Sequence, residues 1–331
     1  MKMRKQAIAA GALALSAFAT AADAFEFGAP GWLQKPGVVL GAAAAAPPPG
    51  LYGFNQVFTY QSHLVGPGAP INANGAATGV KADLAAQGFL YVPGWNFLGA
   101  TYGFVAVVPF ISASVGPPIN VNPAGMHNAF FANELSWKLG DSGFFVKAGL
   151  GIYAPTGTQQ GPNGLGNVGN PWWTFQPNLV VSYLKDGWNL TVNVFDEINT
   201  TNTVTNYRSG DVLHAEFTAT KTMGNWTIGP VAYYVGQVTN DRSSGFYGGA
   251  INVNRYDIWA AGGMFAYNFG PAQVSVWGTQ ELSSTARGGT AGLPGLDTAA
   301  ITKGFSVFAQ LNYRIWAPDP PASQTVPRYR K

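Results

Sequence analysis

The sequence predicts an all-β fold: a transmembrane antiparallel β-barrel of about 12 strands, placed in a bacterial outer membrane. Three observations predict it. An export signal opens the chain, the composition is apolar and poor in charge, and period-2 segments are joined alternately by short and long links. Apolar residues make up 47% of the 331 and charged ones 10%, against roughly 25% charged in soluble chains. Such a surface is hard to keep in water. An aromatic content of 14% excludes global disorder. Gly 43 and Pro 23 argue against a helical bundle. A net charge of +3 is too small for the basic groove that nucleic acid requires, so that partner is excluded. With no cysteine, the chain has no disulfide, thiolate nucleophile or Cys-based metal site.

Residues 1–24 read as a signal peptide. Lys2, Arg4 and Lys5 form the positive start, Ala7 to Phe18 the apolar stretch, and Ala19-Thr20-Ala21 or Ala22-Asp23-Ala24 the cleavage triplet. The apolar stretch is too short to cross a bilayer. The longest later candidate, Leu98 to Val115, is broken by Gly103, Pro109 and several hydroxyls. A charge-poor exported chain without spanning helices fits a closed barrel, which satisfies every backbone group internally.

Residues 25–49 form a lead-in segment, either a periplasmic arm or a piece that enters the barrel lumen. Val38 to Ala46 is expected to make a short helix stopped by Pro47-Pro48-Pro49. Period 2 begins after Gly50, where Tyr52, Phe54, Phe58 and Tyr60 alternate with smaller residues. The barrel is expected over 50–316, with strands near 51–62, 81–93, 96–110, 129–139, 143–154, 172–185, 188–199, 211–223, 226–239, 255–268, 271–285 and 300–315. Tight links such as Asp186-Gly187 and Gly224-Asn225 alternate with longer polar ones such as 63–80 and 155–171. That alternation is characteristic of bacterial outer-membrane barrels, with the long loops outward. Residues 317–331 remain as a periplasmic tail.

On 143–154, Phe144, Val146, Ala148, Leu150 and Ile152 should meet lipid, leaving Phe145, Lys147, Gly149 and Gly151 inside. On 172–185, Gln176 and Asn178 share a polar face. On 211–223, His214 and Glu216 oppose Leu213, Ala215 and Phe217.

The chain resembles the outer-membrane meta-pathway phenol degradation family. The stretches that carry the resemblance lie in order across about 50–314. They are Pro48-Pro49-Gly50-Leu51-Tyr52, Tyr91-Val92-Pro93, Gly149-Leu150-Gly151-Ile152-Tyr153-Ala154-Pro155-Thr156-Gly157, and Trp172-Trp173-Thr174-Phe175-Gln176-Pro177. The most specific is Asn206-Tyr207-Arg208-Ser209-Gly210-Asp211 with Leu213-His214-Ala215-Glu216. The resemblance implies a barrel of aromatic-degrading bacteria that moves such compounds across the outer membrane. This chain departs from the family by continuing past the last strand, from Ala317 to Lys331.

The candidate lumen or substrate-path residues are Glu134, Phe145, Lys147, Gln176, Asn178, Arg208, His214, Glu216, Tyr234, Glu281, Phe308 and Gln310. Arg208 is read either as a rim clamp with Asp211 or as an attractor of carboxylate and phenolate groups. His214 and Glu216 are read as polar lining, because ionisable groups avoid lipid. Phe145, Tyr234 and Phe308 are expected to make greasy inward steps. No Ser–His arrangement, metal set or phosphate loop is legible, so no enzyme activity, cofactor or metal is expected.

The function expected is a passive channel for small apolar or aromatic compounds. The alternatives are a plugged structural or loop-binding barrel and, behind it, an outer-membrane enzyme. The expected partners are outer-membrane lipid and lipopolysaccharide, the outer-membrane assembly machinery, and those solutes.

Overall fold

The computed structural model describes residues 22–23, 26, 32–160, 167–249, 251–290 and 299–318, without the side chains of 22–23, 251–254 and 289–290. Apart from Ala22 and Asp23, the expected signal peptide lies outside these residues, as does most of the tail.

Among the described residues fifteen strands make one sheet; three of them are short pieces, at Ala22–Asp23, Asn96–Phe97 and Ala124–Met126. The other twelve form the barrel. They are β1 (Gly50–Val65), β2 (Gly79–Val92), β3 (Ala100–Val115), β4 (Phe130–Lys138), β5 (Phe144–Tyr153) and β6 (Thr174–Lys185), then β7 (Trp188–Asn199), β8 (Val212–Met223), β9 (Trp226–Gln237), β10 (Ile251–Asn268), β11 (Ala272–Thr290) and β12 (Ala299–Trp316). Each pairs antiparallel with its sequence neighbours. β12 closes on β1 with Phe308 opposite Phe58 and Gln310 opposite Gln56. All twelve coincide with the period-2 segments, and closure leaves no sheet edge.

The links behave as their composition dictates. Asp186 and Gly187 both take positive φ, 53° and 77°, so two residues suffice to join β6 to β7. Aromatic rings gather at the short-turn end, where Trp226 lies 4.8 Å from Phe265 and 4.3 Å from Tyr267. Short turns face the periplasm in bacterial barrels.

The two halves of the wall treat water differently. On β5 to β9 the lipid face is apolar; Phe144, Leu150, Leu179, Val192 and Ile228 are exposed there. Along β1 and the long-loop half of β2 most apolar residues point inward. Phe58, Tyr60 and Ala86 are buried, whereas Asn55, Thr59, Lys81 and Asp83 are exposed outside. The aromatics of β1 therefore serve the interior rather than a lipid girdle.

Within the lumen runs the lead-in segment. Ala22 and Asp23 pair in parallel with Ala299 and Ala300, at the long-loop end of β12. At the opposite end the Tyr52 hydroxyl donates to the Pro48 carbonyl, beside the start of β1. Residues 32–49 thus thread the barrel towards its short-turn end. They form no helix. Isolated turns, such as Val38 N–H to the Lys35 carbonyl, replace it. Gly37 and Gly41 sit at φ +90° and +87°, outside the helical region. Their N–H groups are spent on the wall, at Glu216 and Thr218.

Candidate functional site: the plugged lumen

Three wall carboxylates hold the plug, each from a different strand. Glu197 on β7 accepts the N–H groups of Leu33 (3.1 Å) and Gln34 (2.8 Å). Glu216 on β8 accepts Gly37 N–H at 2.8 Å. Glu281 on β11 pairs with Lys35 at 3.2 Å and also accepts from Tyr60, Tyr233 and the Gly304 N–H. Buried carboxylates are costly unless their lone pairs are filled. Plug backbone and wall hydroxyls fill most of them here, while Glu216 Oε2 is buried without a hydrogen-bond partner. Trp277 Nε1–H caps the Gly37 carbonyl at 2.8 Å, and Gln56 Nε2 donates to the Val38 carbonyl at 2.8 Å. Plug backbone that would otherwise lie dry and unpaired is satisfied by inward side chains.

At the long-loop end Glu26 is anchored by Asn202, Ser209, Thr205 and Tyr247. Burial pushes its carboxyl pKa up, against the hydrogen bonds from Thr205, Asn202 and Tyr247. Tyr207 is buried beside Asp241, and burial first, then that carboxylate, pushes its phenol up.

Alongside the plug a cavity of about 600 Å³ remains. One wall is greasy, with Phe54, Phe58, Leu84, Leu90, Val105 and Val107 from β1 to β3. The next strands, β4 to β7, line it with polar groups, Glu134, Lys147, Asn178 and Asn193, and Gln310 stands beside β1 on β12. Glu134 and Lys147 neutralise one another at 3.1 Å. Asn193 is buried and its Oδ1 accepts no hydrogen bond. His127 also borders the cavity, and burial lowers its pKa to about 4, so it is neutral.

Five of the twelve candidates from the sequence, Glu134, Lys147, Gln176, Asn178 and Gln310, line this cavity. Gln176 also donates to Gln34 of the plug at 2.9 Å. Glu216 and Glu281 hold the plug instead. His214 is buried against Phe195, with ring centroids 4.4 Å apart, and its Nε2 stands 3.5 Å from Glu197. Phe308 is packed under Trp277 at 5.1 Å, a filled position rather than a step in a path. Phe145 shares the inner face opposite Ser182, away from the cavity lining.

One reading, that of Tyr234, needs correction, and one pair of alternatives, for Arg208, is decided. Tyr234 faces outward and packs on Trp259 at 4.8 Å. The register sets Tyr233 opposite Glu216, so Tyr233 takes the inner position and its neighbour takes the outer one. Arg208 is the rim clamp. It donates to both Asp211 carboxylate oxygens, at 2.9 and 3.1 Å, and to the Asn199 carbonyl, so its fork is occupied. The residues that sequence reasoning missed are Lys35, Gln34, Tyr60, Tyr233 and Trp277. Only Lys35 carried a signal: it and Glu26 are the two charges of 25–49.

Wall, girdle and threaded lumen define an outer-membrane β-barrel with an internal plug. The chain belongs to the family described as "Putative MetA-pathway of phenol degradation", whose model matches residues 51–294. Among solved structures it is similar to an outer membrane channel from Pseudomonas putida F1, at 13% identity and a TM-score of 0.62, covering 85% of this chain and 99% of that one. It is more distantly similar to the translocator domain of the autotransporter NalP from Neisseria meningitidis, at 11% identity, TM-score 0.42 and coverage of 82% and 90%. The TodX monoaromatic hydrocarbon channel, as a deletion mutant, gives 10% identity, TM-score 0.40 and coverage of 82% and 91%. No curated protein matches the sequence.

Proposed function

We propose that this barrel is a passive outer-membrane channel for small apolar or aromatic molecules, and that the cavity alongside the plug is where such a solute rests. The observation that carries the reading is the two-faced cavity. A flat ring placed there meets Phe54, Phe58, Leu84 and Val105 on one side. A carboxylate or hydroxyl on that ring meets Lys147, Asn178 and Asn193 on the other. A few hundred Å³ of mostly apolar lining with a few convergent polar groups is the usual form of a small-molecule site. The channel reading also fits the outer-membrane channel similarity, which itself speaks to fold.

A plugged scaffold without transport is the second reading, favoured by the plug's satisfied contacts with Glu197, Glu216 and Glu281. Uptake separates the two. Proteoliposomes carrying the folded barrel are loaded with labelled toluate or glucose outside. Toluate is charged at neutral pH and leaks little through lipid. The expected result is protein-dependent toluate entry that exceeds glucose entry and falls when the greasy wall is blocked by Val105→Trp. No protein-dependent entry of either solute, with the barrel shown folded, overturns the channel reading in favour of the scaffold.

A further inference from the structure

The outer face of β1 and β2 is unlike the rest of the wall. Asn55, Thr59 and Gln61 on β1 alternate outward with one apolar residue, Val57, between them. On β2 the outward set includes Lys81, Asp83 and Gln87. The register places these side by side: Asn55 opposite Gln87, Thr59 opposite Asp83, and Gln61 opposite Lys81. Asn55 Nδ2 donates to Gln87 Oε1 at 2.5 Å across the outer surface. Lys81 and Asp83 make no ion pair among the described residues.

Depth makes this stripe costly. A membrane strand spans the hydrocarbon in about nine to eleven residues. Counting from Tyr91 at the short-turn end puts Gln87 near mid-depth, Asp83 within the layer and Lys81 at its far edge. Lipid gives none of these groups a partner. A one-residue slip would turn them inward, but the inner face is fixed. Phe58 packs against Phe308 at 5.3 Å, and Gln56 bonds both Gln310 and the plug. The stripe therefore stays outside.

Its borders are apolar. Phe305 and Leu311 on β12 flank one side, Val108 and Phe110 on β3 the other, and all four are exposed. A polar centre with an apolar rim is what membrane segments use when they associate, with hydrogen bonds made across the contact. The stripe is also self-complementary. Each amide offers donors and an acceptor, and Lys81 and Asp83 are neighbours of opposite sign on one face. A two-fold along the membrane normal brings equal depths together, and Lys81 and Asp83, two residues apart on β2, are near enough in depth for the long Lys81 side chain of each copy to reach Asp83 of the other.

We propose that this face is an interface between two copies of this chain, packed side by side in the membrane through the β1–β2 stripe. The dimer is independent of what the lumen carries.

The chain has no cysteine, so single cysteines report contact without background. Asn55→Cys, Thr59→Cys and Gln87→Cys are placed along the stripe, and Val192→Cys on the opposite, apolar wall is the control. Oxidation in native outer membranes is expected to give a disulfide-linked dimer from at least one stripe position and none from Val192→Cys. A charge test reads the same interface in mild detergent. Lys81→Asp sets like charges opposite one another and is expected to weaken dimerisation about tenfold or more, while the double swap Lys81→Asp with Asp83→Lys restores it. Three results overturn the proposal: no dimer from any stripe cysteine in a barrel shown folded by its heat-shifted gel mobility, equal cross-linking from the control, or a monomer carrying bound lipopolysaccharide or a different protein on the stripe.

Discussion

Lys35 and Glu281 are both withdrawn from water, and they do not lose equally when separated. Removing Lys35 leaves Glu281 with Tyr60, Tyr233 and the Gly304 N–H as donors. Removing Glu281 leaves a buried ammonium with the Tyr233 hydroxyl at 3.4 Å and ring faces, Tyr60 at 4.1 Å. An orphaned buried charge costs about 3–5 kcal/mol. Glu281→Ala is therefore expected to cost about that much, Lys35→Met distinctly less, and the double variant less than the sum, as a urea titration of the refolded barrel reads it. At this scale the sequence was legible wherever period 2 decided the face. Glu216, Lys147, Gln176 and Gln310 all point inward as parity requires. Tyr234 was misplaced because two adjacent tyrosines offer the same chemistry to either face, and only the pairing with Glu216 chooses between them. Arg208 was readable as a clamp because Asp211 follows three residues later.

At the scale of elements, the strands were readable and the plug was not. Alternation marks a strand locally, and tight turns such as Asp186-Gly187 mark its end. The segment 32–49 has no period, because its conformation is set by wall carboxylates far away in sequence; Gly37 reaches Glu216 and Gln34 reaches Glu197. An alanine-rich run therefore suggested a helix that Gly37 and Gly41 do not permit. The join between β3 and β4 is a second such place. His127, just before β4, donates its backbone N–H to the Pro109 carbonyl, and its imidazole is buried. Burial lowers its pKa from 6.5 to about 4, with Glu197 opposing. The unfolded chain binds this proton below about pH 6.5 while the folded barrel does not until about 4. The full contribution is present above 6.5 and is lost as the pH falls through that window, by about 3 kcal/mol at 1.36 kcal/mol per unit. Buried carboxylates titrate too, so the comparison is with His127→Gln. The wild type should lose stability more steeply between pH 6.5 and 4, and parallel curves would show that His127 is not the neutral buried group described.

At the scale of the whole molecule, the wall and the plug divide the work of filling twelve strands. A barrel this wide is not filled by its own side chains alone. Here the plug supplies Leu40 and Val38 to the core that Phe58, Tyr233, Trp277 and Phe308 build. That division has an electrical consequence. Glu134 is neutralised by Lys147 on the wall itself. Glu197 and Glu216 take plug backbone N–H groups, and Glu281, otherwise held by wall donors, takes the plug's one ammonium among these contacts, Lys35. A chain lacking residues 26–46 but keeping the barrel would leave three wall carboxylates facing a wet lumen, with no added cation to balance them. Rings of carboxylates favour cations. The wild type is expected to conduct weakly in planar bilayers, because its lumen is threaded. The shortened chain should conduct in larger steps and, under a potassium chloride gradient at pH 8, show a reversal potential of cation-selective sign. Lowering the pH should protonate the three carboxylates and erase that selectivity. Replacing all three by Gln in the shortened chain should leave the larger conductance and remove the selectivity at every pH. Anion selectivity in the shortened chain, or steps no larger than the wild type's, would show that the segment is not what fills the lumen.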